Sequence, residues 1–233
     1  MSEISELEMA TAFDLTLKMN LIKGIPKFNL LYREVICQQG IADFVGLTSG
    51  DFIRRYNFAN ISSIESSSLV LSLLKHKSGR SRMYLKNKTE LSDATLNRTL
   101  KELAASNYIF EKDNLYFVSV QNTIPKDNIW AFELKLSNWK RAMFQALQYK
   151  AFANYSVVVF PLEKEKVLHE NLQAFVEFNI GVLLYDAKTG NNKWLKHPRK
   201  EKPISKWQTM FMLAKTSSQY SQEIPITLTS QDN

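Results

Sequence analysis

The chain has 233 residues, 45% of them apolar, with a formal net charge of +7. That length can hold two modest hydrophobic cores, and the charge favours an anionic partner. One cysteine, Cys37, excludes an internal disulfide and suits a reducing, cytoplasmic setting; no apolar run is long enough to span a membrane, no secretory leader is evident, and His76, His169 and His197 are too scattered for a zinc site.

Ser5 to Leu21 carries apolar residues at helical spacing, with Ser5 as N-cap. Asn29 to Cys37 and Ile41 to Leu47 read as a β-hairpin turned at Gln38-Gln39-Gly40, where glycine can take positive φ. Each arm holds an acid, Glu34 and Asp43. Aspartate is depleted from strands and costly to bury alone, so Asp43, among Ile41, Ala42, Phe44 and Val45, implies a cation or a strong donor. A turn cap or a pairing with Arg33 is the structural alternative.

Residues 65 to 75 and Arg80 to Glu90 suit two helices, and Ser92 caps a third over Asp93 to Asn107 with Leu96, Leu100 and Leu103 on its buried face. Tyr108 to Phe110 and Leu115 to Val120 then alternate around the polar tip Glu111-Lys112-Asp113-Asn114, a second hairpin. Residues 51 to 127 hold twelve Lys/Arg against eight Asp/Glu, and residues 75 to 88 hold six basic residues and no acid. Such a run either faces phosphate or is a solvated helix face.

Ile129-Trp130-Ala131-Phe132 is an apolar strand that ends in Glu133-Leu134-Lys135. Alternation sends Glu133 and Lys135 to one face, and Phe132 and Leu134 to the packed one. A carboxylate and an ammonium side by side can hold a divalent cation and stabilise a phosphate oxyanion; they can also form a rim salt bridge. The helix Asn138 to Phe152 follows, with Gln145 and Tyr149 one turn apart. Tyr155 to Phe160 and Ile180 to Tyr185 are apolar strands around a helix from Glu163 to Glu177, and Asp186 to Gly190 is a turn. Strands alternating with helices imply a mixed sheet flanked by helices. Asn191 to Lys206, with six Lys/Arg to one Glu, reads as a loop or basic extension, Lys206 to Thr216 as one more helix, and the rest as a ragged terminus.

In this order, Glu34, Asp43, Glu133-x-Lys135 and Gln145-x-x-x-Tyr149 resemble the PD-(D/E)xK, or restriction-endonuclease-like, nuclease superfamily, with Ala42 in place of the familiar proline. The resemblance covers residues 1–50 and 128–186 and implies that fold, an α/β mixed sheet flanked by helices. It also implies a metal-dependent nuclease in which Asp43 and Glu133 ligate Mg²⁺ or Mn²⁺, Lys135 helps activate water, Glu34 completes the acidic cluster, and Gln145 lines the site. Nucleases of this kind often pair, so the resemblance allows a homodimer, although no apolar stripe announces one.

Residues 51–127 read as an insert that is similar to winged helix-turn-helix domains, through the string LSDATLNRTLKELAASNYI. That similarity implies DNA contact through Thr95, Asn97, Arg98 and Lys101 on the third helix, Lys112 on the wing, and Arg80, Arg82, Lys86 and Lys88 from the basic run. Winged helices also serve as protein-binding modules, and RNA stays open as a substrate beside DNA. A non-catalytic DNA-binding protein with the same fold is the competing reading, and residues 187–233 form a basic C-terminal extension. A nuclease interrupted by a winged helix would suit phage defence, a mobile element or repair.

Overall fold

The computed structural model describes residues 4–49, 58, 61–119 and 128–223. The chain divides into two compact units, one within residues 1–50 and 127–205, the other within 51–126 and 206–233. Among the described residues, no helix is long and apolar enough to cross a membrane.

The first unit begins with α1 (Glu6–Lys18), closed at its start by a capping box in which Ser5 and Glu8 satisfy each other's backbone N–H. The hairpin β1 (Leu30–Cys37) and β2 (Gly40–Leu47) follows, with Gly40 at φ 146° in the turn. β2 pairs antiparallel with β6 (Ile129–Leu134), which runs parallel to β7 (Tyr155–Pro161), itself parallel to β8 (Gly181–Tyr185). β9 (Asn192–Lys196) closes the far edge antiparallel to β8, giving the order β1-β2-β6-β7-β8-β9.

β6 and β8 are buried at every position and β7 at all but Tyr155, which is why they read as continuous apolar runs rather than alternating ones. One face of the sheet buries Phe44, Phe132 and Val159 under Met9, Phe13 and Leu17 of α1. Phe13 sets its ring edge-on to Phe44, Phe132 and Tyr185, with centroids 5.6, 5.7 and 5.3 Å away. The other face buries Val158, Phe160 and Val182 under α5 (Trp139–Tyr149), α6 (Glu165–Glu170) and α7 (Leu172–Glu177). The result is a mixed sheet with helices on both sides. The helix expected over Glu163 to Glu177 is broken at Asn171 and opens with a 3₁₀ turn, Leu162–Lys164. Trp130 stacks on Tyr155 at 4.1 Å in the core, and Trp139, half-buried, packs against the core on Phe175.

The second unit runs α2 (Ile64–Leu73), β3 (Arg80–Ser81), α3 (Arg82–Thr89), α4 (Asp93–Ala105), β4 (Ile109–Lys112) and β5 (Leu115–Val118), with its three strands in the order β3-β5-β4. Side chains of Ser81 and Ser92 cap α3 and α4. The hairpin was expected to reach Val120, which lies outside the described residues.

The described part of the expected extension, residues 187–223, is divided between the two units. Residues 187–205 belong to the first unit, where β9 occupies a stretch expected to be loop. Its sequence is polar because it is an edge strand, fixed by backbone pairing to β8 and by the Trp194 indole N–H donating to Lys23 O at 2.9 Å. α8 (Lys206–Glu223), longer than the expected helix, packs on α2 in the second unit. Both helices bury small residues, Ser67 and Ser68 on α2 and Ala214 and Ser217 on α8, which suits a close approach. The ragged terminus expected after it lies, from residue 224, outside the described residues.

Candidate active site and nucleic-acid surface

The pairing of β2 with β6 runs from Leu47↔Ile129 to Phe44↔Phe132 and stops. Asp43 and Glu133 are the next residues on the two strands, at the point where the strands part. There the Asp43 Oδ2 accepts the Leu134 N–H at 2.7 Å, so a carboxylate takes a donor that a continuing ladder would give to a main-chain carbonyl. β6 stays attached to β7 through Lys135 N–H donating to Val159 O at 3.0 Å. The alternative pairing of Asp43 with Arg33 is not formed, because the Arg33 guanidinium lies over the Phe44 ring, 5.6 Å from its centroid.

Glu133 is fully buried. Lys135 Nζ lies 2.6 Å from its Oε1 as an ion pair, without the alignment of a hydrogen bond, and the Tyr149 hydroxyl lies against its Oε2. That hydroxyl also donates to Ile41 O at 3.0 Å. A phenol has one proton and a carbonyl can only accept. When Tyr149 donates to Ile41, the short contact with Glu133 therefore needs a proton on the carboxyl; when Glu133 is ionised, the phenol turns its proton toward it. Burial is the main force lifting the Glu133 carboxyl above its ordinary range, with the Asp43 charge adding to it and Lys135 and Tyr149 opposing. Asp43 is likewise raised, first by burial, against the lowering effect of the Leu134 N–H and Lys135. Burial and the Glu133 charge push the Tyr149 phenol up, out of any physiological titration.

Asp43 opens onto a cleft of about 230 Å³ whose walls include Glu6, Leu7, Arg33 and Glu34. Glu34 falls in line with Asp43 between the pairs Arg33↔Phe44 and Val35↔Ala42, and has φ 50°. A non-glycine residue in the left-handed region in mid-strand costs about 1–3 kcal/mol, a strain that clusters at functional sites. Its charge and that of Glu6 raise Asp43 further. Sequence reasoning missed Glu6, because a first-turn acid reads as ordinary helix-end charge. The distinguishing signal is that Glu8 completes the capping box while Glu6 has no hydrogen-bonding partner among the described residues.

Gln145 sits one helical turn before Tyr149, half-buried, with its Oε1 lacking a hydrogen-bond partner and no hydrogen bond to Asp43, Glu133 or Lys135. The expected ligand trio of Glu34, Asp43 and Glu133 is not assembled: among the described residues, no three His, Cys, Asp or Glu side chains are placed to hold a metal together. The donor set that fits a cation is the pair Asp43 and Glu133, which suits Mg²⁺, an ion that keeps most of its water and takes one or two carboxylates. Cys37 is no nucleophile, since burial pushes its thiol up to about 12.

In the second unit, part of the expected DNA-facing set is engaged within the chain. Arg82 donates to Asp93 at 2.5 Å and to Asn97 Oδ1 at 3.0 Å, and Lys86 pairs with Asp93 at 3.1 Å and donates to Leu91 O at 2.7 Å. These two cations hold the Asp93 carboxyl below its usual range. Thr95 shares the N-cap with Ser92, and the Arg80 guanidinium lies over the Tyr84 ring at 4.7 Å. Lys88, Arg98, Lys101 and Lys112 are exposed.

Compared with protein-family models, curated proteins and solved structures, the chain gives no match.

Proposed function

We propose that this chain is a metal-dependent nuclease acting on DNA, in which the first unit is a PD-(D/E)xK-type catalytic core and the second a winged helix that docks the substrate. The observation that carries the reading is the meeting of Asp43, Glu133 and Lys135 where β2 and β6 part. The order α1, β1, β2, β6, α5, in which a helix precedes the hairpin that carries Asp43 and another follows the strand that carries Glu133, supports the reading. For the second unit, support comes from the order α2-β3-α3-α4-β4-β5 and the sheet order β3-β5-β4.

Asp43 and Glu133 would hold Mg²⁺. When bound, it supplies Lewis acidity toward a phosphodiester oxygen. Glu133 must first release its contact with Tyr149. Lys135, already drawn to the same carboxylate, is placed to face the charge that develops on the phosphate. Glu6 and Glu34 keep the cleft negative, which favours a cation there and requires one before an anionic backbone can enter. Phosphate contact in the second unit falls to Lys88, Arg98, Lys101 and Lys112, because Arg82 and Lys86 are spent on Asp93.

The test is cleavage of linear, circular and single-stranded DNA, with an RNA control, in Mg²⁺ or Mn²⁺ and in chelator. Asp43→Ala and Lys135→Ala should each abolish a metal-dependent activity of the native chain. The competing reading, a DNA-binding protein without turnover, is favoured by one observation, the complete burial of Glu133 against Tyr149. Folded native chain that binds DNA and never cuts it in either metal would establish that reading.

A further inference from the structure

Helix α1 is apolar on two sides. Met9, Phe13 and Leu17 face the core, as an amphipathic helix requires. Leu7, Leu15 and Met19 nonetheless stand 70%, 57% and 67% exposed, and with the exposed Thr11 they make a single row at every fourth residue. Rows of this spacing are the ridges that pack between helices. The row is at odds with the sequence-based expectation that no apolar stripe exists, since it shows only once the inner face has been identified.

We propose that this row docks a second copy of the chain, with the two α1 helices antiparallel about a two-fold axis at the level of Phe13. The sequence is self-complementary about that residue. Leu7 and Met19 lie six residues to either side, Glu8 and Lys18 five, and Thr11 and Leu15 two. A two-fold interface needs such matching, because each residue meets its counterpart twice; an unrelated partner helix would not. The pairing sets Leu7 against Met19 of the partner subunit and Thr11 against Leu15 of the partner subunit. It also sets the acidic start of the helix, Glu6 and Glu8, against a basic end at Lys18, whose ammonium is also paired with Asp14 of its own chain at 2.7 Å. Leu7 lines the cleft at Asp43, so each cleft would border the interface. One helix pair covers less than the roughly 1,200 Å² of a standard stable interface, so the dimer is weak and depends on concentration.

Sedimentation equilibrium of the full chain across a concentration series tests this, comparing the native protein with Leu15→Glu. The position is exposed, so the variant should fold, which far-UV circular dichroism checks. Self-association weakened at least about tenfold in Leu15→Glu supports the interface. A native chain that stays monomeric, or a dimer that Leu15→Glu leaves intact, overturns it. The pairing register has its own readout: Thr11→Cys and Leu15→Cys chains mixed and oxidised should cross-link to each other faster than either does alone, and equal rates would reject the antiparallel register. None of these readouts depends on nuclease activity.

Discussion

Tyr149 touches two oxygens, the Glu133 carboxylate and the Ile41 carbonyl 3.0 Å away, with one proton to share between them. The contact ties α5 to the parting ends of β2 and β6. Tyr149→Phe removes it without changing the packing volume. Loss of about 1–3 kcal/mol is expected, the cost of leaving a buried polar partner unmet. Chemical denaturation measures it, and a change below a few tenths would mean that the phenol is not part of the network.

The two buried acids set a pH dependence whose sign follows from their environment. Burial lifts Asp43 above 3.8 and Glu133 above 4.5, so the fold prefers both protonated. Their contribution to stability is full below those ordinary values and is lost as pH rises through the raised ones. Thermal unfolding should therefore show the metal-free chain losing stability as pH rises above those ordinary values. Asp43→Asn and Glu133→Gln should each flatten that decline, whatever Glu133→Gln loses by breaking its pair with Lys135. The opposite slope would show that Lys135 outweighs desolvation.

Cation binding should reverse that penalty. Mg²⁺ at a hundred times its dissociation constant would stabilise the native chain by about 2.7 kcal/mol through mass action alone. The rise in melting temperature should be absent in Asp43→Ala, and calorimetric titration gives the same comparison without heating.

Lys135 faces a carboxylate with no exposure to water. Removing one member of a buried ion pair costs about 3–5 kcal/mol, because the other is left unpaired. Lys135→Met alone should approach that cost, while Lys135→Met with Glu133→Gln should recover most of it. A double-mutant cycle by urea unfolding reads the coupling, and additive losses would mean that the pair is not formed.

Salt dependence separates the basic residues of the second unit. Arg98→Ala, Lys101→Ala and Lys112→Ala should each weaken DNA binding across sequences and lower the slope of log affinity against log salt by about one. Arg82→Ala should do less, since its charge is met by Asp93 at 2.5 Å. Asp93→Asn should tighten binding by releasing Arg82 and Lys86. Fluorescence anisotropy over a salt series measures all five.

The elements that local chemistry dictates were legible in the chain. Caps at Ser5 and Ser92, the turn at Gly40 and the apolar runs of β6, β7 and β8 all lie where their residues place them. β9 was not legible because a polar edge strand owes its conformation to β8, which is supplied from elsewhere in the chain. The two-residue strand β3 is likewise defined only by pairing with β5. At the candidate site, spacing alone put Glu133 and Lys135 on one face, and the structure joins them at 2.6 Å. Distant partners were out of reach: Leu134 for Asp43, Ile41 for Tyr149, and Asp93 for Arg82. Each joins residues that no periodicity relates.

α8 lies beyond β9 in the chain yet packs on α2, ahead of β6. During synthesis, which proceeds at about 5–20 residues per second, α2 to β5 emerge well before the helix that covers them. The ribosome thus releases the whole of the first unit while the second still has an open apolar side. A chaperone that shields α2 in that interval, or a stop codon near residue 205, would act on one unit and spare the other. Grafting the module onto another protein would require both stretches of chain, joined by a new linker.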